Sequence, residues 1–407
     1  MNIVSVSKVV PYEGIPHAGG EYYLRHLETL VALGHSVTVL APRDQRNIDA
    51  IRKYALAADV VLFGPPRRSF WGRGVDRLER ELAPGRLPSS FLRSLANAPR
   101  VESALADADL LEVQWTEMAS IINHLSCDLP PVILVAHDII HQRESRKLTS
   151  LSRHQGVARL IQRFRVRSAL RDELRAFGVV SCVLVFSAKD AQLARSLAPQ
   201  VDVEVLQPPL GHFSHGSEVR ARPREQRRNV VFVGAFGRPE NIEGAEWLTE
   251  RVWPLVRKEA PTAELSLVGS DPRGRIARLA SSDRAIQVTG YVPDLEPFYS
   301  DADVAVVPLL RGAGVKFKTV DAILRGVPVV TTSVGAEGIG EELDELPFAV
   351  EDTVCGFARA IVTALGDPTP TVHRRALEAQ YWALDKYGVD RFTSALSAIL
   401  FRVSGRE

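Results

Sequence analysis

Residues 303–339 read DVAVVPLLRGAGVKFKTVDAILRGVPVVTTSVGAEGI, and this segment leaves few folding options. The apolar run from Val304 to Leu310 suits a buried strand and is too short to span a membrane. Gly312-Ala313-Gly314 forms a loop without bulky side chains, after which Phe317, Val320, Ile323 and Leu324 recur on one helical face. Gly326 suits the helix stop, Pro328 prevents continuation, and Val327 to Thr331 form the next apolar run. The order is strand, glycine loop, helix, strand, which is a βαβ unit. Its helix N-terminus carries unpaired N–H groups and partial positive charge beside an open loop, an arrangement suited to a phosphate. Lys316 and Lys318 add cations at the end of the helix where the dipole alone would favour acids. Asp321 follows one to two turns in and leans back toward that terminus, where its carboxylate can accept from a ribose diol. A plain βα turn with solvated lysines and a surface aspartate is the other reading of the same residues.

The alternation recurs along the whole chain. Ile3 to Val10, His35 to Ala41, Val60 to Phe63, Leu110 to Val113, Val132 to Ala136 and Val183 to Phe186 read as strands, with a loop over Gly14 to Gly20 and a helix over Glu21 to Leu33. A second series holds strands at Asn229 to Val233, Ala263 to Val268, Ala285 to Thr289 and Val304 to Pro308, with a helix over Ile242 to Glu259. Strands separated by helices predict doubly wound parallel sheets. Repeated twice in 407 residues around the polar tract Ser217 to Arg228, they predict an α/β protein of two Rossmann-like lobes facing across a cleft. The expected domains are 1–206 and 207–371, with a terminal helix over 372–403 that packs back on the first or caps the second. Ligands of such sheets bind at the carboxyl ends of strands.

Composition narrows the functions. A net charge of +1 supplies no field for a polyanion, so no nucleic-acid partner is expected. Cys127, Cys182 and Cys355 are far apart and without a CxxC, which argues against a disulfide scaffold or a zinc site and for a reducing compartment. The start, MNIVSVSKVV, runs straight into strand pattern, and no window has transmembrane length; a cytoplasmic protein is expected. Two tracts stand out from the alternation. Residues 65–100 mix Pro, Arg and aromatic side chains and read as a surface insertion, or as an acceptor-binding or membrane-touching element. From Arg143 to Arg175, ten Arg and Lys face three acids, which reads as a solvated helix face, or as a positive face for an anionic acceptor or the inner membrane surface.

Further candidates lie at strand ends. Gly19 and Gly20 open the first helix, where backbone amides can approach a ligand, or else form a tight turn. The GxGxxG fingerprint with its following acid is absent, which disfavours a dinucleotide oxidoreductase. His137-Asp138 follows the strand VILVA; the histidine can bond a sugar hydroxyl, and the aspartate can orient it or cap the next helix. His141 has no third ligand spaced to complete a metal site. Gly234 follows the strand VVFV, with Arg238 able to grip a phosphate in a fork and Asn241 in the next helix. Tyr291 follows a short strand and turn, Gln287 to Val292, whose backbone can read a base edge.

The glycines after the first strand, the His-Asp pair, VGAFGRPEN and GAGVKFKTVDA with the GVPVVTT strand together resemble the retaining GT-B glycosyltransferases of family four (glycosyl transferases group 1). The resemblance spans nearly the whole chain and is strongest from Val230 to Ile339. It implies an acceptor-binding first lobe and a second lobe that binds a nucleotide-sugar donor. It also implies no cofactor and no metal, with a UDP- or GDP-sugar as co-substrate and a hydroxyl-bearing glycan, lipid-linked or small molecule as acceptor. By the same resemblance Asp321 holds the ribose, His137 lies near the transferred sugar, and Gly19 and Gly20 match the glycine loop. Ala313 stands where the family has its first paired acid, and Ala235 and Asn241 stand where it has Arg and Lys. Gly312, Gly314, Lys316 and Lys318 match a subset with a Gly-Gly-Gly-Thr-Arg-x-Lys type block, so Lys316, Lys318 and Arg238 are the expected diphosphate ligands. A nucleotide-sugar epimerase on the same fold, or a decayed lobe serving as a scaffold subunit, are the alternatives. Base, sugar, acceptor and oligomeric state stay open.

Overall fold

The computed structural model describes residues 1–405 apart from 16, 66–68, 96–97, 126, 152–154, 211–227, 272–273, 281–282, 313, 341–345 and 367–369. Ala313 and nearly all of the tract Ser217 to Arg228 therefore lie outside the described residues. By their internal contacts the chain divides into Met1–Pro209 with Phe392–Glu407, and Leu210–Arg391.

In the first unit the order is β1 Asn2–Val6, α1 Ala18–Ala32, β2 Ser36–Pro42, α2 Gln45–Lys53 and β3 Asp59–Phe63, then three helices in succession, α3 Phe70–Leu82, α4 Ser89–Leu95 and α5 Pro99–Ala106. There follow β4 Leu110–Gln114, a 3₁₀ stretch Thr116–His124, β5 Val132–Ala136, α6 Ile140–Ser150, α7 Gly156–Phe177, β6 Cys182–Val185, α8 Ala188–Leu197 and β7 Asp202–Val205. The seven strands are parallel in the order β3-β2-β1-β4-β5-β6-β7. Helices cover both faces, so β4, β5 and β6 are buried at every residue, which is why VILVA and CVLV are continuous apolar runs and not alternating ones.

The second unit holds β8 Asn229–Val233, α9 Pro239–Trp247, a π-helical turn Leu248–Val252 leading into α10 Trp253–Glu259, β9 Glu264–Val268, α11 Ala277–Ala280, β10 Ile286–Gly290 and α12 Glu296–Asp301. It continues with β11 Val304–Val307, α13 Phe317–Leu324, β12 Val329–Thr331, β13 Ala349–Val350, α14 Val354–Gly366 and α15 Pro370–Tyr387; α16 Val389–Ser404 returns to the first unit from Phe392 onward. Its six-stranded sheet runs β10-β9-β8-β11-β12-β13. Val230, Phe232, Leu265, Leu267, Val304 and Val306 form one core with Trp253 and Phe357, and Val231, Ala305 and Val329 face the opposite core with Val320 and Ile323. Gly326, at φ +69°, stops α13 as expected: its N–H bonds Ile323 O and that of Val327 reaches back to Ala322 O.

Several sequence expectations are corrected. The first strand ends at Val6, because Ser7 Oγ donates to Val9 O at 2.6 Å and turns the chain out of the ladder. The tract 65–100, where the sequence alternation breaks, contributes α3, α4 and the start of α5. The terminal helix expected over 372–403 is broken at Gly388 between α15 and α16.

A polar network is sealed inside the first unit. Glu112 on β4 receives Ser5 Oγ at 2.7 Å and pairs with His26, whose Nδ1 lies 3.2 Å from Tyr22 OH; Tyr23 OH donates to Ser5 at 2.8 Å. Burial acts to raise the Glu112 pKa, but the His26 charge and hydrogen bonds from His26, Ser5 and Gln114 overcome it and hold the carboxyl below its usual range. The stability it confers is complete above the ordinary carboxyl pKa and is lost as pH falls through the lower folded value. Glu112→Ala, which strands three polar partners in the core, is expected to lower the urea-unfolding free energy by about 3 kcal/mol or more at neutral pH.

Candidate functional site

Each sheet reverses its strand order once, between β1 and β4 in the first unit and between β8 and β11 in the second. At such a switch point the two following loops diverge to opposite faces and leave a crevice at the strands' carboxyl ends. The loops after β8 and β11 carry Gly234, Arg238, Gly312, Gly314 and Lys316, and Lys318 lies in the first turn of the helix that follows the second loop.

In the second unit the residue at the centre is Lys318. Its Nζ donates to Asn241 Oδ1 at 2.6 Å, and Asn241 Nδ2 donates in turn to Ala235 O at 2.8 Å, tying the first turn of α13 to the loop before α9. The ammonium also lies 5.1 Å from the Phe232 ring centroid. A Cβ at Gly234 would stand 3.4 Å from Nζ and 3.3 Å from Asn241 Cγ, so the absent side chain makes room for this contact. Burial, and then the charges of Arg238 and Lys316, push the Lys318 pKa down to about 7 against the opposing pull of Glu240. Arg238 and Lys316 are the N-cap residues of α9 and α13, and neither helix has a side-chain cap on its N–H groups. Two open helix N-termini thus meet one desolvated cation, a positive site that matches a diphosphate.

The other expected ligands are placed differently. Lys316 is the N-cap of α13 and not a first-turn residue. Its buried Nζ donates to Gly314 O at 2.6 Å and lies 3.7 Å from Glu337 Oε2, so it braces the loop whose Gly312 and Gly314 have φ of +144° and +74°. A Cβ on Gly312 would meet Lys316 Cε at 3.3 Å. Asp321 accepts from Arg325 Nε at 3.1 Å and bonds Tyr299, while Arg325 pairs onward with Glu296. Burial raises the Asp321 pKa although Arg325 opposes it. Tyr291 follows β10 and is exposed. Gly269 was missed by sequence reading: at φ +139° its Cβ would fall 2.0 Å from Gly234 O, so only glycine lets β9 end against the site loop. Glu337, an acid beside the Gly312–Gly314 loop, was not assigned a role either.

In the first unit Gly19 and Gly20 lie in the first turn of α1 and not in a loop, because His17 caps that helix, its Nδ1 accepting from Gly20 N–H at 2.9 Å. A Cβ at Gly19 would meet Trp115 at 3.2 Å and His137 Nδ1 at 3.4 Å, so the glycine lets α1 start directly against both rings. The two rings stack at 4.1 Å and 14°, with Tyr22 and Phe186 edge-on to the imidazole, and Lys8 Nζ sits 4.5 Å from the Trp115 centroid. Trp115 follows β4 at φ +70°, the single non-glycine of positive φ among the described residues, strain that marks a constrained site. His137 Nε2 bonds Gln114 Oε1 at 3.0 Å, which assigns the ring proton to Nε2 and leaves Nδ1 as an acceptor toward α1. Burial first, then Lys8, His26 and His17, lower the His137 pKa well below the usual value, so the ring is neutral at pH 7.

Asp138 neither orients His137 nor caps α6. Its Oδ2 accepts from Arg143 Nη1 at 2.6 Å, and the α6 N–H groups of Ile140 and His141 go to Glu173 of α7. Gln114, Trp115 and Lys8, contributed by loops or strands distant in sequence, do the positioning that the His-Asp dipeptide suggested for Asp138.

Two doubly wound parallel sheets, each with its candidate residues at a switch point, form a two-lobe Rossmann-like GT-B fold. Sucrose-phosphate synthase from Thermosynechococcus elongatus superposes with a TM-score of 0.72 at 19% identity, covering 100% of this chain and 99% of that one. HepE of Anabaena, solved with UDP and glucose, superposes with a TM-score of 0.64 at 13% identity over 98% and 99% of the two chains. Residues 227–367 match the family model of glycosyl transferases group 1. An uncharacterized 44.6 kDa protein from the cps region of Klebsiella pneumoniae is 34% identical over 141 residues, 33% of this chain and 36% of that protein, so the match spans about a third of that relative. The superpositions show the GT-B fold over the whole chain, and the glycosyl transferases group 1 match lies within the second unit.

The Glu173 carboxyl that starts α6, directly after His137 and Asp138, has its pKa raised to about 8 by burial, against the two backbone N–H bonds. A carboxyl that keeps its proton in the folded state up to this value confers stability that is full below the ordinary carboxyl pKa and is lost as pH rises through about 8. Unfolding free energy measured with urea is expected to fall across that window, and Glu173→Gln is expected to flatten the slope.

Proposed function

We propose that this protein is a retaining glycosyltransferase that moves a sugar from a UDP- or GDP-sugar to a hydroxyl acceptor without a bound metal. The observation that carries the reading is the Lys318 ammonium, desolvated between the open N-termini of α9 and α13 with Arg238 close enough to act on its charge. In the reaction the bond from the anomeric carbon to the diphosphate oxygen breaks, its electron pair leaves with the diphosphate, and the acceptor oxygen bonds that carbon on the same face while its proton passes to the departing diphosphate oxygen. Charge grows on the diphosphate, so preorganised cations and helix N–H groups stabilise the transition state more than the ground state. The group 1 family match over 227–367 supports this reading, as does the GT-B neighbour solved with UDP and glucose. Asp321 is the ribose acceptor of this scheme, reached when the diol competes with Arg325 for its oxygens. Neutral His137, its Nδ1 free to accept, bonds a hydroxyl of the substrate sugar. The acceptor is a glycan, lipid-linked or small-molecule hydroxyl, bound by the N-terminal unit.

A thermal-shift comparison of UDP, GDP, ADP and dTDP is the direct test, with UDP or GDP expected to raise the unfolding midpoint; no shift with any of them overturns the donor site. A diphosphate beside Lys318 holds its proton, so nucleotide affinity is expected to be flat below pH 7 and to fall by up to about tenfold per pH unit above it. Calorimetric titration across pH reads this directly, and Lys318→Met is expected to remove the dependence. Asp321→Ala is expected to weaken nucleotide binding, whereas His137→Ala lowers turnover by roughly a hundredfold with donor affinity kept. Mass spectrometry of products with donor alone, then with acceptors, separates transfer from epimerisation; product formation unchanged by EDTA is expected.

A further inference from the structure

Two helices of the first unit are built inside out. On α3, Trp71, Val75 and Leu78 recur at i, i+4 and i+7 and point outward, with exposures of 82%, 57% and 58%; Phe70 beside them is 76% exposed. The side of α3 that faces the domain is polar: buried Asp76 accepts from Ser90 Oγ at 2.6 Å, and Glu79 takes the Ser89 N–H and hydroxyl. The first half of α7 repeats the inversion. Val157, Leu160, Ile161 and Phe164, at i, i+3, i+4 and i+7, are exposed by 76%, 68%, 46% and 52%, while Gln162 is buried and donates to Glu144. The two helices pack side by side, bridged by Arg165, which pairs with Glu81 of α3 and Glu144 of α6. Chain segments some eighty residues apart thus place two outward-facing apolar stripes on neighbouring helices.

A normal surface helix turns such a stripe toward the core. Here both stripes face solvent, and the exposed charge around them is mostly positive. On α7 six arginines stand against two acids, Asp172 and Glu173, both buried; on α3 Arg73, Arg77 and Arg80 are exposed, Asp76 is buried, Glu79 is bonded to Ser89, and the exposed Glu81 is paired with Arg165. A second copy of the chain would set these arginines against themselves. An apolar stripe of Trp, Phe, Leu and Val edged by arginine is instead the pattern of a helix lying in a headgroup layer. No described helix is long and apolar enough to cross a membrane. We infer that α3 and the first half of α7 form a single docking surface for an anionic phospholipid bilayer, with the stripes embedded in plane and the arginines on the headgroups. This surface is independent of the donor chemistry proposed above.

Co-sedimentation with vesicles tests it in the full-length protein. Binding is expected to vesicles holding about 30% phosphatidylglycerol in phosphatidylcholine, weakened by salt, and not to phosphatidylcholine alone. The double substitution Trp71→Glu with Phe164→Glu alters exposed positions, so the thermal midpoint should hold while vesicle affinity falls by about tenfold or more. Arg163→Glu with Arg167→Glu is expected to remove the preference for the anionic lipid. Three results would overturn the proposal: wild type that ignores anionic vesicles, a Trp71/Phe164 variant that binds them as wild type does, or a dimer in sedimentation velocity that this variant dissolves.

Discussion

An ammonium taken out of water and given a neutral amide oxygen as its hydrogen-bond partner is the constraint on which the second unit's site is built. Lys318 is costly where it is, since nearby positive charge adds to the desolvation that already disfavours its protonated form. The surrounding elements are arranged to keep it there. Gly234 omits a side chain, Gly269 lets β9 close against that glycine, and Asn241 holds the amine while fixing its own loop through Ala235. Lys316, so close in sequence, is spent on bracing the glycine loop from within. A site of this kind carries stored positive potential that an anion relieves on arrival.

The first unit handles its buried polar groups in the opposite way. His26 and Glu112 are paired and surrounded by hydroxyl donors, so the network is satisfied without a ligand. His137, one ring contact away through Tyr22, is instead kept neutral by burial and by cations around it. Stacking on Trp115 and the bond from Gln114 fix both the plane of the imidazole and which nitrogen accepts. The strain at Trp115 is the conformational cost of that placement. Polar groups inside and apolar groups outside on α3 and α7 extend this theme to the surface of the same unit, where burying Asp76 and Gln162 leaves the apolar stripes facing solvent.

Much of the architecture was legible because parallel strands covered on both faces must be apolar throughout, and such runs are hard to mistake. Eleven strands fell within a few residues of their expected positions, and Gly326 ended α13 where a left-handed residue was needed. The short edge strands β7 and β13 escaped, having too few buried residues to show a pattern. The helices of 65–100 escaped for a different reason: an apolar stripe turned to solvent, broken by Gly72 and Gly74, does not look like a core-facing helix.

What the sequence determined by itself was local: strand runs, glycine loops at their ends, cations beside a helix start, and a resemblance strong enough to name a fold. It could not say which neighbour in space each polar side chain would take. Adjacency in sequence suggests adjacent roles, with Asp138 orienting His137 or capping the next helix and Lys316 joining Lys318. Tertiary structure gave Asp138 to Arg143, Lys316 to its own loop, and His137 to Gln114 and Trp115. The reason is geometric. A hydrogen bond is satisfied by whatever partner lies within about 3 Å in the right direction, and the folded backbone alone decides whether that is a residue a few positions along, as for Asp138 and Lys316, or one on the next strand over, as for His137.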